Sequence, residues 1–107
     1  LANLFGGYHQ TWKNLKTIHQ IDACTGAAMV IRREAMEEVG LLDEQFFMYG
    51  EDLDWCYRFK SVEWDIVFFP ELTVLHDKHS SGIKKKNKKT HHAFYDAMRL
   101  FYQKHDL

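Results

Sequence analysis

The sequence predicts an α/β structure in which helices flank a small mixed sheet, and three observations carry that expectation. Apolar runs with strand character occupy 27–31, 64–69 and 72–75, the last two rich in β-branched and aromatic residues. Strong helix formers fill 33–39 and 51–61, and apolar residues return at three- and four-residue spacing over 90–105. With a short extended stretch at 15–23, the element order is β-β-α-α-β-β-α, with no internal repeat. Interleaved elements of this kind build helices onto a sheet.

Composition agrees with a folded chain. Of 107 residues, 46% are hydrophobic and 15% aromatic, with one proline and six glycines, far from the signature of disorder. The length suits a single domain over 1–107. So many aromatics either fill a core or present apolar surface to a neighbour, and composition leaves both open. A net charge of −1 excludes a strong electrostatic address and argues against nucleic-acid binding. Cys24 and Cys56 are too few for a disulfide framework and lack C-x-x-C spacing, so they read as free, buried thiols in a reducing compartment. No apolar run approaches the roughly 20 residues needed to span a bilayer, and no signal peptide is visible.

Each element has a local reason. Residues 1–14 mix glycines, aromatics and polar groups and read as a loop, while Leu15, Ile18, Ile21 and Ala23 suit a short extended stretch. Ala27 to Ile31 is apolar throughout, as in a strand buried on both faces. Gly40 follows the helix formers of 33–39 as a C-cap. Pro70 stops the strand of 64–69, and Leu72 to Leu75 reads as another strand directly after it. Residues 77–89, with Ser80-Ser81-Gly82 and the Lys84–Lys89 run, read as a basic flexible loop. That run reads as a solvated surface or as a site for an anionic headgroup or diphosphate. In the final helix, expected at 90–106, Ala93, Phe94, Ala97, Met98, Phe101 and Tyr102 form the apolar face. His91, His92 and His105 fall on its polar side.

The chemistry concentrates between Asp43 and Arg58. Five carboxylates (Asp43, Glu44, Glu51, Asp52 and Asp54) lie within twelve residues that also hold Phe46, Phe47, Met48 and Tyr49. An ordinary solvated face would not carry those aromatics, and an ordinary core would not carry Glu51, Asp52 and Asp54. At about 100° per residue, Glu51, Asp54, Trp55 and Arg58 share one stripe of a helix, with Asp54 and Arg58 spaced for an ion pair. Asp52 points about 160° away from Asp54, toward Cys56 and Phe59, and has no partner nearby in sequence. The helix dipole favours the ionised form of a carboxylate at a helix start, whereas neighbouring acids oppose it. Capping and dipole complementation also account for acids at this position, for Glu51 and Asp54 above all. Asp52-Leu53-Asp54 is no metal-binding D-x-D, because its side chains diverge on a helix.

The series Thr25-Gly26-Ala27, Arg32-Arg33-Glu34, Val39-Gly40, Asp43-Glu44-x-Phe46-Phe47, Glu51-Asp52-x-Asp54, Arg58, Pro70 and His76 closely resembles the rhamnosyltransferase-like branch of family 2 glycosyltransferases. The resemblance runs from about Thr25 to Ser81. It implies the acceptor-side, C-terminal half of a GT-A fold, with the nucleotide-binding half absent from this chain. It implies that Asp52 is the catalytic base of an inverting transfer from a nucleotide-sugar donor to a glycan or lipid-linked acceptor. Glu51 would orient the site, Thr25, Gly26, Ala27 and Trp55 would line the acceptor, and Asp54 and Arg58 would brace the helix. His76 would help hold a divalent metal, Mg²⁺ or Mn²⁺, in the complete enzyme, with none tightly bound to this chain.

The same resemblance implies polysaccharide or cell-envelope biosynthesis in the cytoplasm, at the inner face of the membrane where the acceptor is lipid-linked. This chain alone is expected to be inactive, and its exposed apolar surface to pair it as a dimer. A non-catalytic relative that binds a glycan or a protein is the alternative reading. Two departures stand out. Glu63 precedes Trp64 where the family often has glycine, which predicts another type of turn, and Asp77-Lys78-His79 replaces the usual glycine after His76.

Overall fold

The computed structural model describes residues 15–77 and 88–107. Its elements are β1 (His19–Ile21), α1 (Arg33–Val39), α2 (Glu51–Ser61), β2 (Ile66–Phe68) and α3 (Lys88–Lys104). β1 and β2 pair antiparallel, with His19 opposite Phe68, Gln20 opposite Val67 and Ile21 opposite Ile66. The His19 and Phe68 rings meet across the ladder at 5.3 Å.

α2 is the centre of the molecule. Trp55 and Phe59 join Ala35 of α1 in one buried cluster, onto which Met29, Ile31, Met36, Val39, Trp64 and Ile66 pack. The second cluster joins Phe46 to Ala97 and Phe101 of α3, with Tyr49, Leu53, Met98 and Leu100 around it. Both clusters therefore contact the same eleven-residue helix, one against α1 and β2, the other against α3.

The helices stand where their sequences place them. The Gly40 N–H closes α1 on the Met36 carbonyl at 2.8 Å, and Gly40 takes a φ of 92°, the C-cap role expected of it. α2 carries Glu51, Asp52 and Asp54 in its first turn and Arg58 and Lys60 in its last, both signs complementing the helix dipole. α3 begins two residues earlier than expected and ends at Lys104. Its apolar face is the expected one, with Ala97 and Phe101 buried.

The strands depart from expectation. Residues 27–31 form a turn and an extended connection with no ladder, and Val30 is wholly exposed rather than buried on both faces. Leu72 to Leu75 is likewise no strand, with Leu75 97% exposed. Among the described residues the sheet is a two-stranded antiparallel ribbon and not a mixed sheet. Apolar, β-branched composition reports a preference for a half-buried pleated surface, and a strand needs a neighbour to supply one. Glu63 also corrects the sequence reading. It adopts a φ of 71°, so this residue carries the left-handed backbone that glycine would take without strain. The loop expected at 1–14 and most of the basic segment at 77–89 lie outside the described residues.

Gly50 sets the start of α2 with a φ of 87°. A Cβ there would lie 3.0 Å from the Phe46 ring and 3.3 Å from the Ala97 Cβ. Gly50→Ala is expected to lower stability by about 2 kcal/mol or more, combining left-handed strain with overpacking. Urea denaturation measures the loss, and a change under about 0.5 kcal/mol would show that the turn relaxes freely.

Candidate active site

The first turn of α2 separates three carboxylates into three environments. Asp54 is wholly buried. Arg58, one turn further along α2, places Nε 3.0 Å from its carboxylate. Lys104 and His105, at the end of α3, place Nζ at 3.0 Å and Nε2 at 2.6 Å from it. The buried carboxylate thus meets two cations and an imidazole, the compensation that a charge withdrawn from water requires.

The same groups tie down neighbouring loops. The Arg58 guanidinium also donates to the carbonyls of Val39, the last residue of α1, at 3.2 Å and of Leu41 at 2.8 Å. The last turn of α1 contains no basic residue of its own, so Arg58 supplies cationic complement to its carbonyl end. Lys104 reaches Asp43 as well, at 2.7 Å, and with the Gln45 N–H holds the Asp43 carboxyl below its ordinary range. The His105 ring packs between Tyr57, at 4.2 Å, and Phe101, at 4.8 Å. His105 is therefore largely buried against α2, not on the polar side of α3, whereas His91 and His92 are exposed as expected.

Asp52 faces the other way and is partly open to solvent. Its Oδ2 accepts the Gly26 N–H at 2.9 Å, and its Oδ1 accepts the Leu53 N–H at 2.8 Å. The exposed Thr25-Gly26-Ala27 turn is thereby fastened beside the carboxylate, 26 residues away in sequence from Gly26. Both oxygens keep further acceptor capacity, since an ionised carboxylate offers about four lone-pair sites.

Glu51 lies between these two. Its Oε2 is buried without a hydrogen-bond partner. Burial, reinforced by the charge of Asp52, pushes its carboxyl above the ordinary carboxylate value, against an opposing hydrogen bond from its own backbone.

Of the residues singled out in sequence, the structure brings Gly26 onto Asp52 and Arg58 onto Asp54. Thr25 and Ala27 are exposed on either side of Gly26. Trp55 is only 7% exposed and donates its indole N–H to the Gly40 carbonyl at 2.8 Å, which makes it a core residue with little surface to offer an acceptor. His76 is exposed on the segment after β2. Among the described residues no three His, Cys, Asp or Glu side chains gather to hold a metal ion, so His76 does not by itself fit such a site. No helix among the described residues is long and apolar enough to cross a membrane. Sequence spacing gave no sign of Lys104 and His105 at the Asp54 carboxylate, of Asp43 on the same Lys104, or of the 4.0 Å approach of the Cys24 and Cys56 sulfurs.

Raising the pKa of Glu51 has a definite sign in stability. The unfolded chain ionises at the ordinary carboxylate value and the folded chain only above it, so folding loses stability as pH rises through that window. Glu51→Gln is expected to raise the melting temperature at about pH 7 and to leave it unchanged at about pH 3, below the ordinary carboxylate range. Melting curves at both values test this. A lower melting temperature at neutral pH would show that Glu51 has a favourable partner.

The sequence matches glycosyltransferase-like family 2 over residues 9–95. It is 42% identical over 59 residues to an N-acetylglucosaminyl-diphospho-decaprenol L-rhamnosyltransferase of Mycobacterium tuberculosis, covering 54% of this chain and 19% of that protein. It is also 42% identical over 45 residues to a low-salt glycan biosynthesis hexosyltransferase of Haloferax volcanii, covering 42% of this chain and 14% of that protein. The chain thus aligns with less than a fifth of either relative's length. No solved structure matches it.

Proposed function

The chain belongs to glycosyltransferase-like family 2, and from that premise we propose that it carries the acceptor-side, base-bearing part of an inverting sugar transferase. The observation that carries this reading is the contrast between two carboxylates two residues apart. Asp54 is sealed from solvent and held by Arg58, Lys104 and His105. Asp52 is partly exposed, oriented by two backbone N–H groups, and beside an open turn.

In this reading an acceptor hydroxyl lies over the Thr25-Gly26-Ala27 turn and gives its proton to Asp52. The acceptor oxygen forms a bond to the anomeric carbon as the bond from that carbon to the diphosphate breaks, and the configuration inverts. The Gly26 and Leu53 N–H groups aim the carboxylate so that proton transfer needs little reorganisation. Glu51, next to it, shapes the local field. The donor nucleotide, and the divalent metal such enzymes place on its diphosphate, would be held by other parts of the enzyme.

The two relatives are named for transfer of rhamnose and of a hexose, one of them to a diphospho-decaprenol-linked sugar. A nucleotide-sugar donor and a glycan or lipid-linked acceptor at the cytoplasmic face of a membrane are the corresponding substrates and place here. Val30, Phe47 and Leu75, each at least 89% exposed, provide apolar surface for the nucleotide-binding part of such an enzyme or for a second copy of the chain.

Replacing Asp52 by asparagine keeps the shape and an acceptor oxygen while removing the base. In the complete transferase, Asp52→Asn is expected to lower kcat by about 10²–10⁴-fold, with KM for the acceptor little changed. Retention of activity within about threefold would assign the base elsewhere. Loss of acceptor binding with kcat unchanged would make Asp52 an acceptor-binding residue and not the base.

A further inference from the structure

Cys24 and Cys56 stand on either side of the contact that orients Asp52. Their sulfurs are 4.0 Å apart, although 32 residues separate them in sequence. Cys24 lies two residues before Gly26, leading into the exposed turn, and Cys56 is one helical turn beyond Asp52, on the same side of α2. Cys56 is buried and Cys24 half-buried, so Cys24 is the more open of the two residues. A disulfide needs about 2.05 Å between sulfurs, so the pair must close by about 2 Å.

We propose that Cys24 and Cys56 form a reversible disulfide that staples the Thr25-Gly26-Ala27 turn onto α2 directly beside Asp52. The oxidant is a small disulfide such as oxidised glutathione. Cys24 attacks it to form a mixed disulfide and releases one thiol. Cys56 then displaces the second thiol from the Cys24 sulfur, closing the internal bridge. Two protein thiols and one external disulfide become one protein disulfide and two external thiols, so protons and electrons balance. The attacking species is the thiolate, so the exchange quickens as pH rises.

The bridge constrains the Gly26–Asp52 hydrogen bond, because it fixes the chain two residues before the donor and the helix four residues after the acceptor. In the reduced protein that N–H and weak sulfur contacts hold the turn at this point. The bridge itself does not depend on whether Asp52 is a base.

The test is to incubate the protein with oxidised glutathione at about pH 8, digest it without reduction, and map the peptides. The expected product is a monomer in which peptide 17–32 is joined to peptide 34–58. Hydrogen exchange at the Gly26 amide should slow by about tenfold or more on oxidation and recover on reduction. The melting temperature should rise by about 5 °C or more, a shift absent in Cys24→Ser. A protein that stops at glutathione on Cys24, or that links only between chains, would overturn the bridge. A bridge that leaves exchange at Gly26 unchanged would overturn its hold on Asp52.

Discussion

The fold depends on a single buried charge. Asp54 is a carboxylate with no access to water at the point where α1, α2 and α3 converge, and every group that compensates it also fastens another part of the chain. Arg58 joins it to the carbonyls at and after the end of α1, Lys104 joins it to Asp43 before α2, and His105 seats the end of α3 against Tyr57. Apolar packing alone does not fix such registers, because among the described residues each cluster holds only three buried residues. A charge that is costly to leave unpaired specifies one arrangement of the three helices.

That specification is also what leaves Asp52 available. Successive acids at a helix start repel one another and share the same dipole, so neither is distinguished by sequence position alone. The structure separates them by solvation. Asp54 turns inward to fixed cations, Glu51 keeps one oxygen buried and unmatched, and Asp52 turns toward an exposed glycine turn. A carboxylate placed on a helix whose opposite face is electrostatically locked has little freedom to drift. The thiol pair beside it lies where the remaining freedom is, in the turn that donates the Gly26 N–H.

Much of this was legible in the residues, and what was not has a physical reason. The three helices follow from helix formers, from the Gly40 cap and from the three- and four-residue spacing of α3. The divergence of Asp52 and Asp54 and the Asp54–Arg58 pair follow from helix geometry. Residues 27–31 and 72–75 misled, because their apolar composition reports a wish for burial without naming a partner, and among the described residues no third strand covers them. Lys104 and His105 read as ordinary polar residues at a helix end, since nothing local tells a side chain that it will meet a carboxylate 50 residues away. The family resemblance set Trp55 beside the acceptor, whereas its side chain packs with Ala35 and Phe59 in the core. Family resemblance located Asp52 and Gly26 in the chain, and only the folded turn shows the hydrogen bond between them.

The most direct test of this account is a double-mutant cycle on stability, with Asp54→Asn, Lys104→Met and the two combined, followed by urea denaturation. If Asp54 is the charge on which the three helices register, Asp54→Asn lowers stability by about 3 kcal/mol or more. Lys104→Met then costs much less in that background than in the parent, a coupling of at least about 1 kcal/mol. Losses that add within about 0.5 kcal/mol, or an Asp54→Asn variant as stable as the parent, would contradict it.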